Sequence, residues 1–174
     1  MNLSENLLHF IWQFRLYDAL KLYTTTGESV TVLQQGILNT NAGPDFSNAK
    51  LIINQTTWAG NVEIHLKSSD WLVHQHQFDA AYDNVILHVV YEDDQPIYRN
   101  DGSPIATLIL KGLFPNELLT RYDALINSLN KFPCQTQIKQ VDQFLINGFL
   151  SRVLVERLAD KSAEVYQKLN LLKG

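Results

Sequence analysis

The chain has 174 residues, of which 45% are hydrophobic and 18% are charged, and its formal net charge is −4. These values are typical of a globular protein with one domain, or with one domain and part of another. They exclude a membrane-spanning helix, because no apolar run approaches the ~20 residues that such a helix needs, and the N-terminus lacks the basic and apolar regions of a secretory signal.

The net charge and the cysteine content indicate which partners and which cellular compartment fit this chain. Proteins that coat nucleic acid are usually basic, because neutralising phosphates drives that binding, whereas this chain has no cluster of Lys or Arg. A nucleic-acid enzyme can still be acidic overall when carboxylates hold its metal ion. The single cysteine, Cys134, excludes an internal disulfide and predicts a reduced, cytoplasmic setting, in which Cys134 is a packed or surface thiol.

The first third of the chain reads as a helix followed by strands. Ser4 is a candidate N-cap for a helix over residues 4–20, with Glu5 in its first turn, where the helix dipole favours an acid. Two predicted strands, at residues 20–24 and 30–34, flank a turn at residues 26–28. A Gly/Asn/Pro-rich loop follows at residues 36–44.

The rest of the chain contains a central hairpin and further alternating elements. Asp70 and the serines before it cap a helix predicted over residues 70–81, and the apolar run 85–91 is the strongest signal of a buried strand. Asp101-Gly102 predicts a second hairpin. The strands of this second hairpin are predicted at residues 97–99 and 105–110. Two apolar helices are predicted after it, at residues 115–129 and 141–172.

These elements predict two regions. Residues 1–112 form an α/β core with an added hairpin, and residues 113–174 form a helical extension. The apolar positions over 141–172 must pack on something, so we expect them to bind either a protein partner or a further segment of a longer chain.

The central hairpin carries an unusual row of ionisable residues. Glu63, His65 and Lys67 alternate with apolar residues, so they share one face of a strand while the apolar residues face the core. If residues 49–54 pair antiparallel with this strand, Asp45 lies close to Glu63 and His65. Two carboxylates brought together repel each other unless a cation holds them, and oxygen ligands of this kind suit Mg²⁺ or Mn²⁺.

The order of elements and these residues together resemble the PD-(D/E)XK nuclease-like superfamily. Pro44-Asp45 resembles its Pro-Asp, and Glu63-Ile64-His65 resembles its (Asp/Glu)-x-Lys with histidine in place of lysine. Residues 1–110 also resemble an uncharacterised bacterial family of unknown function. The segments that carry this second resemblance are Gly43-Pro44-Asp45-Phe46, Gly60-Asn61-Val62-Glu63-Ile64-His65 and Asn84-Val85-Ile86-Leu87-His88.

The nuclease resemblance implies a fold, a reaction and a set of roles. The fold is a restriction-endonuclease-like αβββαβ core with a mixed central sheet, of the α/β (α+β) class, followed by C-terminal helices. The reaction is metal-dependent cleavage of DNA, with Asp45 and Glu63 as ligands of Mg²⁺ or Mn²⁺, and with His65 or Lys67 as the auxiliary group. Weaker candidates on the two helices are Glu5, Gln77, Asp79 and Tyr82.

Two other functions stay open at this point. One is a catalytically degenerate nuclease fold that serves as a binding or assembly module. The other is a His/carboxylate metalloenzyme of unknown substrate, which is suggested because four of the five histidines lie within residues 65–88: His65, His74, His76 and His88. Its metal would be zinc, which we expect less than Mg²⁺ or Mn²⁺.

Helical spacing weighs against the histidine site. On a helix His74 and His76 point about 200° apart and cannot bind one ion together, although on a strand they can. We expect His88 to be a hydrogen-bonded core residue and His9 to lie on a helix surface.

Overall fold

The structure is a computed structural model that describes residues 3–132 and 135–171. Cys134 and position 172, on which two of the sequence-based expectations fall, lie outside the described residues. The contacts divide the chain into two compact units, Met1–Ile126 and Asn127–Gly174. The sequence placed this boundary after residue 112. The structure extends the first unit because Phe114 and Leu119 are buried in its core.

The first unit contains both helices and strands and has a mixed sheet, as the sequence predicted. Its helices are α1 (Glu5–Gln13), α2 (Asp70–Val73) and α3 (Asn116–Ile126). Two short 3₁₀ turns follow α2, at His76–Phe78 and Ala80–Tyr82. Its strands are β1 (Val30–Gln34), β2 (Ile37–Leu38), β3 (Phe46–Ile53), β4 (Thr56–Lys67), β5 (Val85–Glu92) and β6 (Thr107–Ile109).

The six strands form one mixed sheet with the order β1-β3-β4-β5-β6, and β2 pairs with β3 at its end. Strands β1 and β4 pair antiparallel with β3, whereas β5 pairs parallel with both β4 and β6. A parallel pair needs a crossover connection. The segment with α2 and the 3₁₀ turns supplies it between β4 and β5.

The main core lies between α1 and one face of the sheet. Ser4 caps α1, since its side chain accepts a hydrogen bond from the Leu7 backbone N–H. Four apolar residues of α1 are buried and pack with inward-facing residues of β3, β4 and β5. The buried residues of α1 are Leu7, Leu8, Ile11 and Trp12.

Strand β4 extends past the start of β3, and this overhang positions the site. The last pair between the two strands is Phe46 with Val62, so residues 63–67 have no β3 residue beside them. On their other side these residues pair with β5, and Glu63 lies opposite His88. Glu63 and His65 therefore share a face with His88, while Ile64 points into the main core. The predicted division of β4 into an apolar and an ionisable face is confirmed, although Glu63 and His65 are buried.

Several predicted elements are shorter in the structure. The helix predicted over 4–20 ends at Gln13, because the backbone turns into a left-handed conformation at Arg15 (φ 52°). The strand predicted over 20–24 is reduced to single bridges at Tyr23 and Thr24. The hairpin predicted around Asp101-Gly102 is likewise a single bridge, because the chain then joins β5 as the parallel strand β6.

The helix predicted over 70–81 is wrong in a way that matters for the site. Helix α2 ends at Val73, and Gln75 adopts a left-handed conformation with φ 61° before the first 3₁₀ turn begins. Nothing in the apolar spacing marks this residue, because left-handed backbone is most common at Gly and Asn.

The second unit contains one long helix, α4 (Gln143–Leu171), preceded by a 3₁₀ turn at Ile138–Gln140. This agrees with the helical spacing over 141–172, and α4 has no buried residue. None of the helices among the described residues combines the length and the apolar character that crossing a membrane requires.

Candidate metal centre

Asp45 and Glu63 meet at the overhang of β4, as the sequence predicted. The backbone N–H of Asp45 donates to Glu63 Oε2 over 3.0 Å, and the backbone N–H of Ile64 donates to Asp45 Oδ2 over 2.9 Å. Because β3 begins at Phe46, the Asp45 carboxylate takes the place that a strand carbonyl would have beside Ile64. The two acids are therefore fixed by the backbone of both strands.

His9 joins this pair from α1. Its Nε2 atom lies 3.1 Å from Asp45 Oδ2. Burial alone would lower the pKa of His9, but the hydrogen bond and charge of Asp45, together with Glu5 and Glu63, outweigh burial and raise the pKa above its ordinary value. The expectation that His9 lies on a helix surface is wrong, because His9 is half-buried and Asp45, the residue before β3, lies against it.

Four histidines form a connected cluster beside Glu63. His65 Nδ1 lies 2.8 Å from His88 Nε2, and His65 Nε2 lies 3.1 Å from His74 Nδ1. Glu63 Oε1 lies 3.5 Å from His65 Nε2 and 3.3 Å from His76 Nε2. The cluster therefore runs from a fully buried ring, His88, to an exposed one, His74.

The left-handed residue Gln75 brings His74 and His76 to the same place. His74 ends α2, Gln75 reverses the chain, and His76 begins the next turn, so the two ring centroids are 5.3 Å apart. The argument from helical spacing, which kept these two histidines apart, fails because the helix does not reach them.

Burial dominates the electrostatics of the cluster. It lowers the pKa of His65 to about 3, an effect to which His76 and His74 add, and it lowers the pKa of His88 well below its ordinary value. Both rings are therefore neutral near pH 7, and each has one nitrogen with a free lone pair. Burial also raises the pKa of Glu63, with the charge of Asp45 adding to the effect and His76 opposing it.

Aromatic rings enclose the cluster. Tyr82 stacks on His76 with 3.8 Å between ring centroids, and Trp71 lies edge-on to His76 at 5.3 Å and to His88 at 5.6 Å. Trp71 and Tyr82 are buried, whereas Phe78 is 72% exposed. The opening toward solvent is on the side of His74.

The other predicted site residues take different positions. Glu5 is half-buried on α1, where burial raises its pKa and His74 and Asp45 act on it electrostatically. Asp79 accepts a hydrogen bond from the Ala81 N–H and so begins a turn. Lys67 is exposed, and only its backbone N–H forms a described hydrogen bond, to Asp70. Gln77 is half-buried, with a buried Oε1 that has no hydrogen-bond partner among the described residues.

The comparison with known proteins identifies a family but no activity. The model of the family described as "Protein of unknown function (DUF2851)" matches residues 5–174. No curated protein and no solved structure matches the chain. Chemistry for this site must therefore be argued from its own residues.

Proposed function

Since the chain belongs to the DUF2851 family, whose description assigns no activity, we propose from the geometry of the site that the protein is a metal-dependent phosphodiesterase that cleaves DNA. The observation that carries this proposal is the meeting of Asp45 and Glu63 at the start of β3. Two fixed carboxylates on neighbouring strands are a means of holding a divalent ion beside a scissile phosphate.

The order of the elements supports the proposal. The first unit begins with α1, β1, β3, β4, α2 and β5, with the two-residue β2 as an addition, and continues with β6 and α3. The order up to β5 is similar to the αβββαβ order of the PD-(D/E)XK nuclease-like superfamily, which the sequence resembles. Asp45 leads into the second long strand, Glu63 and His65 lie on the third, and the third pairs parallel with the fourth.

The donor set fits a divalent ion. Described hydrogen bonds and ion pairs engage one oxygen of Asp45 and both oxygens of Glu63. Each carboxylate oxygen has more than one lone pair, so lone pairs remain for a cation. Carboxylate oxygens beside imidazole nitrogens suit Mn²⁺ and, with retained waters, Mg²⁺. Such an ion would supply charge neutralisation on the phosphate and a water of lowered pKa.

The chain's own residues divide the remaining work. His65 cannot replace the cationic lysine of the superfamily, because its ring is neutral, 2% exposed and engaged at both nitrogens. His9, with its raised pKa, is the charged ring that contacts Asp45, and we assign to it the orientation of that carboxylate. Lys67 remains a candidate for the auxiliary charge, since its side chain is free to turn toward a substrate.

A cleavage assay with matched variants tests the proposal. The purified protein is incubated with plasmid and oligonucleotide DNA in Mg²⁺, Mn²⁺ or Zn²⁺, beside Asp45→Asn and Glu63→Gln. We expect each variant to lose cleavage by roughly a hundredfold or more, because either change removes a charged ligand. The exposed acids Asp93 and Glu117 provide controls, Asp93→Asn and Glu117→Gln, that retain it. Equal cleavage by all variants, or no cleavage with any metal, would contradict the proposal.

A binding module is the second candidate, and the state of His65 favours it. A neutral, enclosed ring stands where the superfamily has a free lysine. In that case the protein binds DNA in a gel-shift assay, cleaves none, and loses no affinity on Glu63→Gln.

A further inference from the structure

Three histidine side chains come together beside Glu63 Oε1. They belong to different local structures: His65 to β4, His74 to the end of α2, and His76 to the following turn. One ligating atom from each lies within 4.8 Å of the other two. We infer that His65, His74 and His76 bind one transition-metal ion of the Zn²⁺ class.

The separations are close to those that a bound ion imposes. Nitrogen atoms placed tetrahedrally about 2.0–2.1 Å from zinc are roughly 3.3–3.4 Å apart. His65 Nε2 and His74 Nδ1 are 3.1 Å apart. The widest separation in the set, 4.8 Å at most, closes to a tetrahedral edge with a movement of about 1.4 Å. His74 is exposed and has room for it.

Glu63 supplies a fourth atom to this set. Its Oε1 lies 3.3 Å from His76 Nε2 and 3.5 Å from His65 Nε2, again close to ligand-to-ligand distances. Its other oxygen, Oε2, is held by the backbone N–H of Asp45. Glu63 thus connects the carboxylate pair with the histidines.

His88 fits the role of a partner that orients a ligand. When Nε2 of His65 faces an ion, Nδ1 carries the proton and donates it to His88 Nε2, 2.8 Å away. His88 is fully buried, and its Nε2 atom lies within hydrogen-bond distance of His65 Nδ1. A metal-ligating histidine ordinarily donates its second N–H in this way.

Hydrogen bonding within the protein does not fully account for the cluster. His76 Nε2 is buried, yet it makes no aligned hydrogen bond to any described residue, because its approach to Glu63 Oε1 meets the distance of an ion pair only. Its ring is also fixed by stacking on Tyr82. A buried polar atom without a hydrogen bond destabilises the folded state. A metal ion would satisfy this nitrogen and its neighbours together.

The donor atoms select the class of ion. Three imidazole nitrogens with one carboxylate oxygen suit Zn²⁺ and its tetrahedral substitute Co²⁺, whereas Mg²⁺ prefers oxygen ligands.

The test measures metal binding without any substrate, so its outcome is separate from that of the cleavage assay. A Cys134→Ser background removes the single thiol as an alternative zinc ligand. The full chain is freed of metal with a chelator and titrated with Zn²⁺ by calorimetry and with Co²⁺ by visible absorption. We expect one ion per chain with a Kd of about 1 µM or tighter, and the intense absorption of four-coordinate Co²⁺.

Variants assign the site. His74→Ala and His76→Ala are expected to weaken Zn²⁺ binding at least roughly tenfold, whereas the control His9→Ala, which removes the histidine on Asp45, stays within about twofold. Because His74 is exposed, its replacement leaves the core intact, and circular dichroism verifies the fold.

Three outcomes would overturn the inference: no Zn²⁺ binding by the parent protein, equal binding by His74→Ala, or an equal loss in His9→Ala, which would place the ion at Asp45. A protein that binds Zn²⁺ through the trio and cleaves no DNA would support the inference and contradict the proposed reaction. A protein that cleaves with Mg²⁺ and binds no Zn²⁺ would do the reverse.

Discussion

The sequence predicted the positions of some residues of the site and missed others. The alternation along β4 predicted that Glu63 and His65 share a face, and the hairpin placed Asp45 beside them; both predictions are confirmed. His9 was missed because its spacing on α1 fits a helix surface. The available signal was its position four residues after Glu5, a candidate acid on the same side of the helix.

A second residue outside the predicted set, Asp94, holds the segment that carries the histidines. Its carboxylate accepts hydrogen bonds from Ser68 Oγ, Ser69 N and Ser69 Oγ over 2.8–2.9 Å. These bonds join the end of β5 to the start of α2. Hydrogen bonds from the Ser69 side chain and backbone lower the pKa of Asp94 below its ordinary value.

We predict a pH-dependent loss of stability on Asp94→Ala. The pKa of Asp94 is lower in the folded than in the unfolded protein, so the carboxylate contributes stability fully above its ordinary pKa of 3.8. This contribution is lost as the pH falls through the lowered value. In the metal-free state, Asp94→Ala should therefore have a lower Tm than the parent protein at pH 7. The difference in Tm between the two proteins should be smaller at about pH 2.5. An equal or larger difference in acid would contradict the assignment.

At the scale of elements, the sequence predicted which segments are helices and strands better than where they end. The run 85–91 and the spacing over 115–129 correspond to β5 and α3. The helix over 70–81 does not exist beyond Val73, because Gln75 adopts a backbone conformation that its residue type rarely adopts. Local propensity does not predict such a residue, since left-handed backbone is most common at Gly and Asn.

Gln75 provides a direct test of this turn. With φ at 61°, Gln75→Gly is expected to stabilise the protein by about 0.5–1 kcal/mol, because glycine adopts this conformation without a Cβ clash. Gln75→Val should destabilise it by roughly 1–2 kcal/mol and weaken Zn²⁺ binding. The exposed Gln95, whose φ is not positive, is the control, and Gln95→Gly should destabilise. Urea unfolding measures all three, and the same sign at both positions for glycine would refute the argument.

Gly60 tests how closely β4 and β5 approach each other. A Cβ at this position would lie 2.5 Å from Ile86 Cγ2 and 2.6 Å from the Asn84 backbone oxygen. The backbone atom cannot turn away, so we expect Gly60→Ala to lower the free energy of unfolding by about 1–3 kcal/mol. Gly148→Ala on α4, where a Cβ meets nothing within 4 Å, is the control that leaves the first unit unchanged. Equal unfolding midpoints for Gly60→Ala and the parent protein would contradict the close packing.

At the scale of the whole molecule, the sequence separated a mixed α and β region from a helical one, and the described structure has two such units. The sequence did not predict that all four clustered histidines meet in the first unit. His65 and His88 meet because β4 and β5 pair, and His74 and His76 meet because Gln75 reverses the chain. In the second unit α4 has large exposed apolar residues, including Phe144, Leu145 and Phe149. The expected partner for this segment stays a prediction.

Anomalous X-ray diffraction at the zinc edge, from crystals of the metal-loaded full chain, would locate the ion that we infer at His65, His74 and His76. We predict one anomalous peak between His65 Nε2, His74 Nδ1 and His76 Nε2, within about 2.0–2.2 Å of these nitrogens and of Glu63 Oε1. A zinc-loaded protein with no peak there, or with its ion held by other residues, would contradict it.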